Sequence, residues 1–378
     1  MDIFPENKKN KLLVFPIIFG LLGGIMGLFL RYVFTGAPSN FLIRNILHSH
    51  SHTMLLGFVF NALIALLWIQ FTTGIDKKSY FLYLCLQACV SILLVGFLFQ
   101  GYTVFTIIFS TLHLWLSYSL LIQLWKNLAI KSVAAKFVKI GIVLHFIASI
   151  GPYALGPLKV LELQDSPWYQ QAIFFYLHFQ YFGSFFMWFL GIFLQQTKIK
   201  LSNTQIILVV LSCVFLYAHS LDYHFNHYMI TSIGGIAALL LFSVFFSKIN
   251  SITKLKLTYK ILYLILLTTL AINCLGSIPF LSTMLVSNRF ILIAWLHLLF
   301  LGLYLPFIWV EFPIKISPYL WLVYALLVST TELLLVFPNV FATVFSTSIM
   351  WLLFLAYLGV VFCICIVHLN YIFERIKR

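Results

Sequence analysis

Eleven histidines stand in this chain against nine carboxylates and six cysteines, so imidazole is its main resource for ligating a metal or moving a proton. Three of them, His48, His50 and His52, open an apolar run in "NILHSHSHTMLLGFVFNALIALLW" (Asn45 to Trp68). Helical spacing puts His48 and His52 on one face and His50 nearly opposite. One or two of the three therefore face a bundle interior, and the rest meet a neighbouring helix, headgroups or water. His178 and His297 lie within other apolar runs, His219 ends one, and His224 and His227 fall in the turn that follows. Neutral imidazole is the commonest nitrogen ligand for haem iron, copper and zinc, and facing helices can assemble such sites. Glu332 is the one acidic residue well inside an apolar run. A carboxylate there is either protonated and hydrogen-bonded or close to a cation or metal, which makes it a candidate proton relay. Asp222 could orient an imidazole from behind.

The elements that must position these groups are set by composition. Of 378 residues, 62% are hydrophobic and 8% charged, with a mean hydropathy of +1.05. Soluble domains carry about a quarter charged residues, so this is an all-α, polytopic transmembrane bundle with no room for a soluble domain. Twelve spans can be drawn, near 13–33, 46–71, 79–99, 102–125, 134–154, 169–195, 204–219, 228–247, 257–280, 289–311, 317–337 and 344–370. Each suffices to cross a ~30 Å hydrocarbon core. The first reads as a retained helix rather than a signal peptide, because it is long and no small-x-small cleavage site follows. All 378 residues are expected to form one membrane domain.

The net charge of +14 reflects topology, not nucleic-acid binding. With both termini cytoplasmic, nineteen of the twenty-three Lys and Arg fall on the inner side, among them Lys8, Lys9, Lys131, Lys377 and Arg378. Arg31, Arg44, Lys159 and Arg289 remain outside, as the positive-inside rule predicts for a multi-pass protein of the inner membrane. The same topology places ten of the eleven histidines in the outer half. His113, His145 and His368 read most simply as interhelical hydrogen-bonders, and His224 and His227 as solvated loop residues. The cysteines lie in apolar runs and read as small buried side chains. The fragment Leu-His followed by Leu or Phe, at Leu112, Leu144, Leu177 and Leu296, carries little weight in so Leu- and Phe-rich a chain.

Twelve helices with histidines on the second, sixth, seventh and tenth resemble subunit I of the haem–copper oxidases and the related nitric oxide reductases. "HSHTMLLGFVFNALIALLW" is similar to that family's helix-2 segment. The resemblance implies haem, copper or both, or another transition metal, and redox chemistry in respiratory electron transfer or on nitric oxide. It implies His52, or His50, as a low-spin haem ligand and His297 as a helix-10 haem ligand. The second metal would fall to His178 and His219, with His48, His224 and His227 as further candidates. Glu332 and Tyr181 are the candidates for catalysis, although Tyr181 stands three residues after His178 rather than four. Helix 7 lacks the family's adjacent histidine pair, helix 10 has one histidine rather than two, and "LVFPNVF" lacks the arginines that hold haem propionates. These departures point to a reduced relative with one haem or one metal. No CxxCH or soluble copper domain is present, so electrons would come from partner subunits or a quinol.

Two other classes fit the same pattern. One is a transporter or metal-ion permease with a histidine-lined path, in which Pro152, Pro157, Pro279 and Pro306 would mark helix breaks. The other is the twelve-helix haem–copper membrane proteins of the nitric oxide response, which share the helix count.

Overall fold

A backbone in hydrocarbon has no water to bond, so apolar runs of this length satisfy their peptide groups internally as helices. The computed structural model describes residues 10–129, 132–278, 280–282, 284, 288–312, 315–344 and 348–376. Lys8, Lys9, Lys131, Pro279, Lys377 and Arg378 lie outside them. Among the described residues there is no β-strand, and twelve helices are long and apolar enough to cross a membrane. They are α1 (Lys11–Phe34), α2 (Ile43–Phe71), α3 (Lys77–Gln100), α4 (Val104–Asn127), α5 (Val133–Val160) and α6 (Pro167–Thr197). The remainder are α7 (Asn203–Phe225), α8 (Tyr228–Phe246), α9 (Leu257–Leu275), α10 (Phe290–Glu311), α11 (Pro318–Val336) and α12 (Ile349–Glu374).

Local chemistry sets the ends. Asp76 caps α3 by accepting from Ser79 N at 2.7 Å. Thr103 with Thr106 and Ser202 with Gln205 form capping boxes at α4 and α7. Gly101, at φ 64°, turns the chain from α3 into α4 in a conformation that favours glycine. α7 runs six residues past the end expected from hydropathy (219 to 225) and stops where Asn226 enters the left-handed region at φ 42°. His224 is therefore helical rather than in a turn, and His227 caps α8 by accepting from Met229 N at 3.3 Å.

The chain divides into two compact units, residues Met1–Ala129 with Ala294–Arg378, and residues Ile130–Ile293. In the first, α1 packs on α2 and α12, α3 on α2 and α4, and α11 on α12. In the second, α5 packs on α6, and α8 lies between α7 and α9. α2 and α6 are the most enclosed helices, whereas α11 keeps most of its apolar surface open, as lipid-facing helices do. Exposed Phe81, Phe99, Leu257, Tyr319 and Phe362 belong to this lipid-facing surface.

His368 shows how a buried imidazole can serve packing alone. It is fully enclosed, its Nδ1–H donates to Ile17 O at 3.0 Å, and its Nε2 accepts from Trp309 Nε1 at 3.0 Å. Gly20 makes room for it, because a Cβ there would stand 2.7 Å from His368 Cε1. His368→Ala should leave a cavity and an unsatisfied Trp309 N–H, at a cost of about 2–4 kcal/mol. Thermal unfolding in detergent should register this as a clearly lower midpoint, and an unchanged midpoint would refute the packing role.

Candidate functional site

Three helices share a local device. α2, α6 and α10 each widen into a π-helical turn directly after a histidine: Thr53–Phe60 after His52, Phe179–Phe185 after His178, and Leu298–Tyr304 after His297. Each turn holds a glycine five residues past its histidine, so His-x4-Gly recurs as His52/Gly57, His178/Gly183 and His297/Gly302 on every fourth helix. A π-helical turn displaces the regular hydrogen-bond ladder and is found preferentially at functional sites. Side chains engage carbonyls along these turns. Asn61 Nδ2 donates to Gly57 O at 3.1 Å, Ser184 Oγ to Phe179 O at 3.3 Å, and Tyr324 Oη to Leu301 O at 2.7 Å. Past its turn α10 continues through Pro306 to Glu311, so this proline does not end the helix.

On α2 the three histidines part as the helical spacing requires. His48 and His52 share the face toward Phe97 and Tyr102, with their ring centroids 6.2 Å apart. Both nitrogens of His52 are engaged. Its Nδ1–H donates to His48 O at 3.0 Å, and its Nε2 accepts from Tyr102 Oη at 3.0 Å. His50 faces α1 instead. Its Nδ1 lies 2.8 Å from Gly23 O, and since a carbonyl only accepts, this nitrogen carries the proton. Among the described residues, nothing hydrogen-bonds its Nε2 lone pair.

His297 has the same arrangement by another route. Its Nδ1 sits 3.2 and 3.3 Å from the two carboxylate oxygens of Glu332; an ionised Glu332 accepts the Nδ1 proton, and among the described residues Nε2 has no hydrogen-bond partner. Thr331 Oγ1 donates to Glu332 Oε1 at 2.9 Å and holds the carboxylate in place. His50 and His297 lie within electrostatic range of each other, and Arg31 is within range of both His50 and Glu332. The Arg31 guanidinium rests 3.7 Å above the Tyr357 ring.

Glycines on α1 make this approach possible. A Cβ on Gly27 would stand 2.8 Å from His50 Cε1 and 2.8 Å from Tyr357 Oη. His297 and Glu332 keep 20% and 15% of their side-chain surface accessible, and His50 is likewise half-buried. None of the three side chains is fully enclosed.

The second unit uses its histidines differently. His178 Nε2–H donates to Cys213 O at 2.8 Å, and the ring packs beside Phe182 and Tyr217. His219 Nε2 is 2.8 Å from Ser277 Oγ and within electrostatic range of His178 and Asp222. Asp222 accepts from Thr231 Oγ1 at 2.8 Å and Ser282 Oγ at 3.3 Å, so its hydrogen bonds go to hydroxyls. His224 is held at both nitrogens, by Gln171 Nε2 at 2.7 Å and Gln170 Oε1 at 2.7 Å. His145 pairs with Gln180, and Tyr181 lies within the π-helical turn after His178. Among the described residues, no three His, Cys, Asp or Glu side chains form a group able to hold a metal ion.

Of the residues singled out from the sequence, the fold thus brings His50, His297 and Glu332 together in one unit and His178 and His219 in the other. Sequence reasoning missed Arg31, Tyr357, Gly23 and Gly27. The His-x4-Gly recurrence was the signal for the three special turns. No model of a known protein family matches the chain, and no curated protein matches it as a relative. The side chains themselves carry the functional reading.

Proposed function

We propose that this integral membrane protein binds haem between His50 and His297 and works in membrane electron transfer, as a reduced relative of the haem–copper oxidases and nitric oxide reductases. One observation carries the reading. Both imidazoles donate Nδ1–H to an acceptor, Gly23 O or Glu332, and both keep Nε2 free. Metal-ligating histidines almost always have this support, which fixes the tautomer and ring orientation and raises ligand basicity. Bound there, haem would supply one-electron redox chemistry.

The chain's own residues divide the work. His50 and His297 would ligate the iron, Glu332 orients His297, Gly23 O orients His50, and Gly27 lets α1 approach it. Held by both imidazoles, the group would supply electron transfer rather than a site for substrate. Copper finds less support, because His224 and His227 are engaged in hydrogen bonds and no three-ligand group occurs among the described residues. The electron donor would be a quinol or a partner subunit, and the cytoplasmic membrane is the proposed location. The decisive experiment is a pyridine haemochrome spectrum of the purified protein with iron and copper quantified. About one haem per chain is expected, and a spectrum without a Soret band together with no bound iron refutes the proposal.

A permease with a histidine-lined path is the second reading, and the accessible surface of His297 and Glu332 is what favours it. Flux across vesicles by a haem-free protein would select it.

A further inference from the structure

The start of α2 carries a second pair of imidazoles, which the haem reading leaves unused. His48 and His52, four residues apart, lie on one face with ring centroids 6.2 Å apart. Tyr102, in the turn between α3 and α4, packs edge-on against both, 4.6 Å from the His48 ring and 5.7 Å from the His52 ring. Phe97 is fully buried beside them, 4.2 Å from the His52 ring. The three polar rings stay reachable. Tyr102 is 48% exposed, and His48 and His52 are half-buried.

The donor atoms are already close to a coordinating arrangement. His52 Nδ1–H donates to His48 O at 3.0 Å, so the lone pair sits on Nε2, where Tyr102 Oη lies 3.0 Å away. A carbonyl behind the ring is the support that metal-ligating histidines have. Among the described residues nothing hydrogen-bonds either nitrogen of His48. Two neighbouring ligand atoms on a tetrahedral zinc, each bonded at about 2.0–2.2 Å, stand roughly 3.3 Å apart. The separation of His52 Nε2 and Tyr102 Oη is near that, so an ion can replace the phenol proton between them with little movement.

The frame holding these rings is fixed by other contacts. Ser49 Oγ donates to Leu94 O at 2.8 Å and Asn45 Nδ2 to Leu98 O at 3.4 Å, which ties α2 to α3. Gly101 turns the chain tightly against Asn45, where a Cβ would stand 2.6 Å from Oδ1, and so brings Tyr102 to the histidines. Arg44 is exposed and within electrostatic range of His48, so charge alone disfavours a cation here. An ion at this place must bond to nitrogen, which selects imidazole-seeking transition metals over magnesium or calcium.

We propose that His48, His52 and Tyr102, with water as a fourth ligand, bind a divalent metal ion of the zinc type. The ion clamps the start of α2 to the turn between α3 and α4. The phenol releases its proton to water as the metal–oxygen bond forms. The site is separate from His50, which faces α1, and does not depend on haem.

The test titrates zinc(II) into full-length, tag-free protein in detergent, in competition with a fluorescent zinc indicator. Wild type should bind one zinc per chain that His48→Ala and His52→Ala lose, each with an affinity lower by at least about 10- to 100-fold. His48→Phe keeps a ring packed on Tyr102 without a nitrogen and should show the same loss, which separates ligation from folding. Tyr102→Phe should weaken zinc less, and His227→Ala should leave it unchanged. Zinc should also raise the thermal midpoint of wild type but not that of His48→Phe. Wild type that takes up no zinc, or His48→Ala and His48→Phe that bind it as tightly as wild type, would overturn the proposal.

Discussion

On the proposed haem reading, alanine at His50 or at His297 is expected to remove haem from the purified protein, whereas alanine at His52 is expected to leave it bound. His52 is the closest sequence neighbour of the same kind, and helix-2 spacing alone gives no reason to prefer either. The difference is tertiary. His52 has both nitrogens committed, to the His48 carbonyl and to Tyr102. His50 is held at Nδ1 by Gly23 O and presents an uncommitted Nε2. Losing even the support behind a ligand costs about 10- to 100-fold in metal affinity, so losing the ligand should cost at least that. Haem per chain, measured as pyridine haemochrome across the three variants, should fall to background for His50→Ala and His297→Ala. It should stay near wild type for His52→Ala. The reverse order, with His52 essential and His50 dispensable, would overturn the assignment.

On the same reading, Glu332→Gln is expected to raise the midpoint potential of the haem that the proposal places there, without removing it. The carboxylate accepts from His297 Nδ1 and is steadied by Thr331, so glutamine can retain an acceptor oxygen while the charge is lost. A negative charge behind an imidazole that ligates iron would make it a stronger donor and would stabilise the ferric state. A charge-assisted bond is worth about 1.5–3 kcal/mol, which corresponds to about 60–130 mV for a one-electron couple. Spectroelectrochemical titration of wild type and Glu332→Gln reads this directly. His50 rests on a neutral carbonyl, so the carboxylate effect should be confined to the α10 side of the pair. A potential that does not move, or moves downward, would show that Glu332 does not act through His297.

The π-helical turns explain how the sequence can be read in part. His-x4-Gly on α2, α6 and α10 is visible in one dimension, yet nothing in periodicity announces that each histidine begins a widened turn. Leu-His followed by Leu or Phe occurs at four places, two of which, at His113 and His145, lack the glycine five residues on. That glycine, rather than the preceding leucine, separates the three turns from ordinary helix.

Composition and hydropathy determined that the described residues form twelve membrane-length helices, because an apolar run of that length satisfies its backbone in lipid by coiling on itself. They also determined that His48 and His52 share a face and that His50 opposes them, since 3.6 residues per turn admits no other outcome. Only the tertiary structure decided which imidazoles keep a free nitrogen, because that depends on acceptors far away in the chain. Gly23 lies 27 residues from His50, and Glu332 lies 35 from His297. Arg31 looked like one of four cations left outside by the charge rule, and only the packing of α1 against α12 set it over Tyr357 beside the histidine pair. Hydrogen bonds are directional and short, so a tautomer is settled by the few ångströms around a ring, which a linear pattern does not encode.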